Sequence, residues 1–310
     1  MTHSEELLLS LDKSWKQVST AWKKARSKTS EGSVHDLRVS TRRLIAMLDM
    51  TQALSKDNHI PKLQRRFKKV LKRMGPLRDL QVQLGTVSRL RQAGLVQDFK
   101  RTLERRERRA VDKIRKQLMK HAKRRLAVRV KDVRSEFTRL QQKLNDDAIH
   151  RSIERTLKAR RNEFLTSRRR FQPADADTLH KMRIALKKYR YSVEAALPVL
   201  GNSAKERARD MQTFQKLLGD TRDVELLRAE LERWAAKRGK KIAAVPVLDR
   251  LTQKKEDLLK KINDSAASFE HVLESEKLKP VIESIHAAGA VSNVESPRLE
   301  METAAKPKSN

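Results

Sequence analysis

The segment Val34-His35-Asp36-Leu37-Arg38-Val39-Ser40-Thr41-Arg42-Arg43 decides the fold, because the chain carries its pattern twice. The counterpart is Leu179-His180-Lys181-Met182-Arg183-Ile184-Ala185-Leu186-Lys187-Lys188, 145 residues further on. Both read apolar-His-x-apolar-Arg-apolar-x-x-basic-basic. At about 100° per residue, His35, Arg38 and Arg42 fall within an arc of roughly 60° on a helix. Val34, Leu37, Leu44, Ile45 and Leu48 gather on the adjacent arc. Each copy is therefore expected to be a helix with a buried stripe beside a column of cations that a histidine heads.

A second block repeats behind the first. Gly75-Pro76-Leu77-Arg78-Asp79 corresponds to Gly219-Asp220-Thr221-Arg222-Asp223 at an offset of 144, with Lys72 aligned to Lys216. Two blocks in the same order at nearly one offset point to an internal duplication. Around them the periodicity is helical. Leu7, Leu8, Leu11, Trp15, Val18 and Trp22 mark a first helix from about Ser4 to Lys28. Ser33, followed by Asp36, reads as a capping box, which puts His35 in the first turn of a helix reaching about Leu54. A third helix after Pro61 buries Leu63, Phe67, Val70, Leu71 and Met74, and Arg65, Lys69, Lys72 and Arg73 occupy another flank. It is expected to end at Gly75-Pro76, with a fourth beginning near Leu77.

After Gly94 comes a long basic helical stretch, with 18 basic against 5 acidic residues from Lys100 to Lys143, which reads as a solvated outer face. The pattern then restarts at Asp147. Helices are expected over about 147–171, up to 197, 204–218, 224–238 and 246–286. Strand alternation is absent. The expected architecture is all-α, with residues 1–144 and 145–290 as two halves and 291–310 as a disordered tail.

The 310 residues carry 72 Lys+Arg against 39 Asp+Glu, a net charge of +33. Self-repulsion on that scale points to a polyanionic partner: nucleic acid, inorganic polyphosphate or an anionic membrane surface. There are no cysteines, hence no disulfides or thiolate metal sites. The start Met1-Thr2-His3-Ser4-Glu5-Glu6 lacks the order of a signal peptide, and no apolar run approaches the ~18 residues of a membrane span. A cytoplasmic protein without membrane insertion is expected.

The cations of the repeated helix lie at i, i+3, i+7 and i+8 without acids interleaved at i±4, and an unpaired column repels itself unless an anion sits in it. Arg offers a planar fork to phosphate oxygens and Lys a mobile point charge. For His35 and His180 the readings are an ordinary surface or core residue, phosphate contact, orientation of the arginines, phosphorylation of the ring, or metal ligation. The last needs further ligands at fixed spacing, and His3, His59, His121, His150, His271 and His286 follow none. Asp79 and Asp223 are expected to orient Arg78 and Arg222. The aromatics lie on apolar stripes, except Tyr189 and Tyr191 beside Lys187 and Arg190, so base stacking has little to use. No GxxxxGK[ST], GxSxG or HExxH occurs, and neither an enzyme nor a cofactor is expected.

On these paired motifs the chain resembles the CHAD family, the conserved histidine α-helical domain, from about Ser4 to His286. The resemblance implies two four-helix bundles related by a pseudo-two-fold, binding of inorganic polyphosphate in a basic groove or pore, and association with polyphosphate granules. It assigns His35, Arg38, Arg42 and Arg43 to one side of the groove and His180, Arg183, Lys187 and Lys188 to the other. Lys72, Arg78, Lys216 and Arg222 follow from the second block, with Lys69, Arg73 and Arg190 as basic neighbours. Arg42 and Arg43 become lysines in the second copy and Arg73 becomes Leu217, so the halves need not bind equally. The Glu-x-Glu-x-Lys motif of the triphosphate-tunnel domain that some members carry is absent. Non-specific binding to a nucleic-acid backbone is the alternative expectation, and the oligomeric state is not legible.

Overall fold

The structure, a computed structural model, describes residues 2–55, 58–90, 94–120 and 123–274. Among them are nine α-helices and no strand: α1 His3–Ser27, α2 Glu31–Leu54, α3 His59–Val87, α4 Gly94–Lys120, α5 Lys123–Gln141, α6 Asp146–Arg169, α7 Ala176–Leu200, α8 Asn202–Lys237 and α9 Lys241–Glu274. The expected all-α class is what is observed. The described residues up to Val272 form one compact unit. The continuation expected to His286 and the tail at 291–310 lie outside the described residues.

Local chemistry sets the helix starts. Ser30, not Ser33, caps α2: its hydroxyl accepts from Ser33 N–H, and the Ser33 hydroxyl accepts from Ser30 N–H at 3.0 Å. Asp175 caps α7 by accepting from Asp177 N–H at 2.8 Å. His35 and His180 are thus both the fifth residue of their helices, beyond the first turn. Their own N–H groups are past the unpaired donors that a helix start offers an anion. The expected first-turn role for His35 is corrected accordingly.

Two expected breaks are not breaks. α3 runs through Gly75-Pro76 and α8 runs through Gly219. Gly75 has no Cβ to clash with the following proline ring, which removes the main steric objection to an α conformation there. Pro76 still deprives the helix of one N–H donor. A helix-interior glycine costs only about 0.5–1 kcal/mol, less than the burial of Phe214, Leu218, Val224 and Leu227 on either side of Gly219 returns. Likewise α9 begins at Lys241 and contains Pro246.

α2 and α7 form the centre and pack on each other. α2 also meets α1, α3 and α6, and α7 also meets α1, α6 and α8. Val34, Leu37, Leu44 and Leu48 of α2, with Leu179, Met182 and Leu186 of α7, are buried, so the apolar arcs read from the two motifs are core. A second core joins α3, α4, α8 and α9 through Leu80, Val87, Phe99, Leu227, Leu231, Trp234 and Leu251. Trp234 Nε1 donates to Thr102 Oγ1 at 3.1 Å there.

The basic stretch resolves into α4 and α5. Leu103, Ile114, Leu118, Leu126 and Val130 face inward and most cations face solvent, as an outer face should. Among them Arg134 pairs with Asp12 at 3.0 Å, and Arg106 pairs with Glu230.

Candidate functional site

Packing α2 against α7 turns their two cation columns toward each other. Arg38 and Arg42 from α2 meet Arg183 and Lys187 from α7, each within the field of the others. Lys187, like the other three, is half-buried. Burial, and then Arg42, Arg183, Arg38 and Arg190, push its ammonium well below its ordinary range. Burial, followed by Arg42, lowers even the Arg38 guanidinium to about 10. No carboxylate lies within 4.0 Å of these four side chains among the described residues. Half-buried cations gathered with no carboxylate in direct contact are electrostatically costly, which is the opposite of what a structural ion-pair network provides.

Three neighbouring features position them. The Arg38 guanidinium donates to the Leu71 carbonyl at 3.0 Å, in the turn of α3 that precedes Pro76. Arg42 lies against the Tyr191 hydroxyl. Gly219 of α8 leaves room for Arg183, whose Nε would be 3.7 Å from a Cβ at that position. That Nε is buried and has no hydrogen-bond partner in the protein, and the same holds for Nδ1 of His180.

The histidines stand at equivalent places beside the seam. His35 is depressed by burial and then by Arg78, with Arg42 adding to the effect. His180 is depressed by burial and then by Arg222, with Arg183 and Lys187 adding. Arg78 and Arg222, like Arg42 and Lys187, are aligned positions of the two blocks. Both imidazoles are thereby held toward the neutral form, able to donate from one nitrogen.

Asp79 and Asp223 behave differently from expectation. Arg78 pairs with Glu31 and Arg222 with Glu225, each at 2.7 Å. Asp79 instead acts on Arg38, and Asp223 on Arg183. Burial pushes the Asp223 carboxyl up, and Asp220 and Asp79 nearby push it further.

Other predicted residues fall into two groups. Arg43 pairs with Glu194 at 3.0 Å, and Arg190 pairs with the same carboxylate at 2.7 Å, so neither column is wholly free of acids. Lys188 pairs with Glu163. Lys69, Lys72, Arg73 and Lys216 are exposed on α3 and α8. Arg73 borders a small cavity with Trp22 and Leu118, on the side of α3 that faces α1 and α4. Tyr189 and Tyr191 are buried, not available for stacking; Arg190 covers the Tyr191 ring at 4.4 Å, and Tyr189 faces Arg161 and Arg207.

The partners that sequence reading missed are Tyr191, Glu194, Gly219 and the Leu71 carbonyl. Only Glu194, at i+4 from Arg190, had a local signal. Among the described residues no three His, Asp or Glu side chains converge to hold a metal, and no helix is long and apolar enough to cross a membrane.

Such a molecule is an all-helical protein whose two central helices share a half-buried seam of cations with no carboxylate in direct contact. The chain belongs to the CHAD domain family, whose model matches residues 10–232. Its structure is similar to the crystal structure of the CHAD domain from the plant Ricinus communis, with a TM-score of 0.65 at 18% identity, over 97% of this chain and 95% of that one. At that identity the likeness concerns the fold. No curated protein is similar enough in sequence to be matched.

Proposed function

We propose that this protein is a binding module, not an enzyme, for inorganic polyphosphate, held at the seam between α2 and α7 and bringing the protein to polyphosphate granules. The observation that carries this reading is half-buried Lys187 gathered with Arg38, Arg42 and Arg183, with no carboxylate in direct contact with any of them. A chain of phosphates supplies closely spaced negative charge, accepts from guanidinium forks, and has no bases to stack. The imidazoles, held toward the neutral form, add donors for its oxygens. The buried tyrosines leave nucleic acid with phosphate contacts alone.

The test is a competition titration at physiological salt of polyphosphate against RNA and duplex DNA, matched for charge. It is run on the native protein and on the double variant Arg38→Glu/Arg183→Glu. Polyphosphate should win by at least tenfold, and the variant should lose most of that affinity with its helical content intact. Duplex DNA or RNA binding as tightly as polyphosphate would refute the assignment.

A further inference from the structure

Beside the seam, α1 and α2 enclose an open groove lined by Lys13, Lys16 and Lys24 on one wall and by His35 and Arg43 on the other. Asp36 is its one carboxylate. The three lysines span about 16 Å along α1, at 1.5 Å per residue. They are exposed and pair with no carboxylate among the described residues. Arg43 also borders the next groove, between α1, α7 and α8, where Lys205 and Arg209 continue the line of charge.

His35 is the junction. Its ring borders this groove while lying in the field of Arg78 and Arg42 at the seam. Apart from that imidazole the lining offers no ring, only Lys, Arg, Gln, Thr, Ser, Asp and small apolar side chains. A nucleic-acid strand would find phosphate contacts here but no platform for its bases.

We infer that the α1–α2 groove is an outer track for polyphosphate, which receives, across His35, the part of the chain that outruns the α2–α7 seam. The inference rests on the function proposed above and deepens it: the track makes affinity depend on chain length. Tripolyphosphate is short enough to stay at the seam, whereas a long chain must leave it, and Lys13, Lys16 and Lys24 provide the adjoining charge. Each lysine adds about 0.7 to the log–log slope, as for a single-stranded polyanion, so together they steepen the salt dependence of long-chain binding by about 2.

The experiment titrates the native protein and the triple variant Lys13→Ala/Lys16→Ala/Lys24→Ala with tripolyphosphate, long-chain polyphosphate and RNA across a salt series. All three substitutions are exposed, and alanine is the best helix former, so the fold persists. Expected is a loss of at least tenfold for long-chain polyphosphate with a shallower salt slope, and tripolyphosphate affinity within twofold of native. Long-chain affinity unchanged in the variant overturns the track while leaving the seam standing. An equal loss for both lengths shows that the lysines belong to one undivided site and likewise overturns it. A loss confined to RNA makes the groove a nucleic-acid surface. Native protein that binds neither polyphosphate length refutes the seam and the track together.

Discussion

Lys187 carries the sharpest consequence at the scale of a residue. In the free protein its ammonium is depressed by burial and by four surrounding guanidiniums, so the folded state holds this proton less tightly than the unfolded chain does. Stability therefore rises with pH between the folded value and the ordinary 10.5, and the full cost is felt below that window. His35 and His180 act in the same sense at lower pH: the free protein loses stability as pH falls through 6.5, their ordinary value, toward their depressed ones. A bound polyanion reverses the field on Lys187, so binding takes up a proton and weakens as pH rises. Calorimetry at a series of pH values above the histidine range and below 10.5, in two buffers of different ionisation heat, should show this uptake. Lys187→Arg, which copies the residue at the aligned Arg42, should bind with the uptake abolished. Equal uptake in both proteins would assign the proton to another group.

At the scale of an element, α8 shows why glycine is a weak sign of a helix end. Gly219 lies inside a continuous helix because the cost of a flexible residue is small beside the apolar surface buried on both flanks. The sequence block around it reads as a boundary, and the structure makes it a gap that admits Arg183. Gly219→Ala should therefore raise stability by about 0.5–1 kcal/mol from helix propensity, since the new methyl would sit at an ordinary contact distance of 3.7 Å from Arg183 Nε. Arg183 Nε is already shut off from solvent, so the added methyl should leave tripolyphosphate affinity within about twofold of native. Denaturant midpoints and titration together check both; a drop in stability would show that the space beside Arg183 is tighter than contact distance implies. α2 makes the complementary point about boundaries. Ser30 and Ser33 are both good caps, and the choice between them moves His35 from the first turn to the second, a difference that local preference cannot resolve.

For the whole molecule, a net charge of +33 and a half-buried cationic seam set two opposing salt effects. Added salt should raise the thermal midpoint of the free protein by screening its self-repulsion, while lowering its affinity for polyphosphate through loss of counterion release. Polyphosphate itself should raise the midpoint in proportion to the logarithm of its concentration. Scanning calorimetry over a salt series with and without the anion reads both. A free protein indifferent to salt would mean that its charges are already compensated. By itself the sequence determined the all-helical class, because 3.6-residue periodicity and the repeated apolar arcs are local properties of the chain. It also determined which helices carry cation columns. Only the tertiary structure decided which cations act together: Arg38, Arg42, Arg183 and Lys187 converge because α2 packs on α7, whereas Arg43, Lys188 and Arg190 are claimed by Glu194 and Glu163. Pairings such as Arg43 with Glu194 join positions 151 residues apart, and no spacing along a helix encodes a contact that exists only once two helices meet.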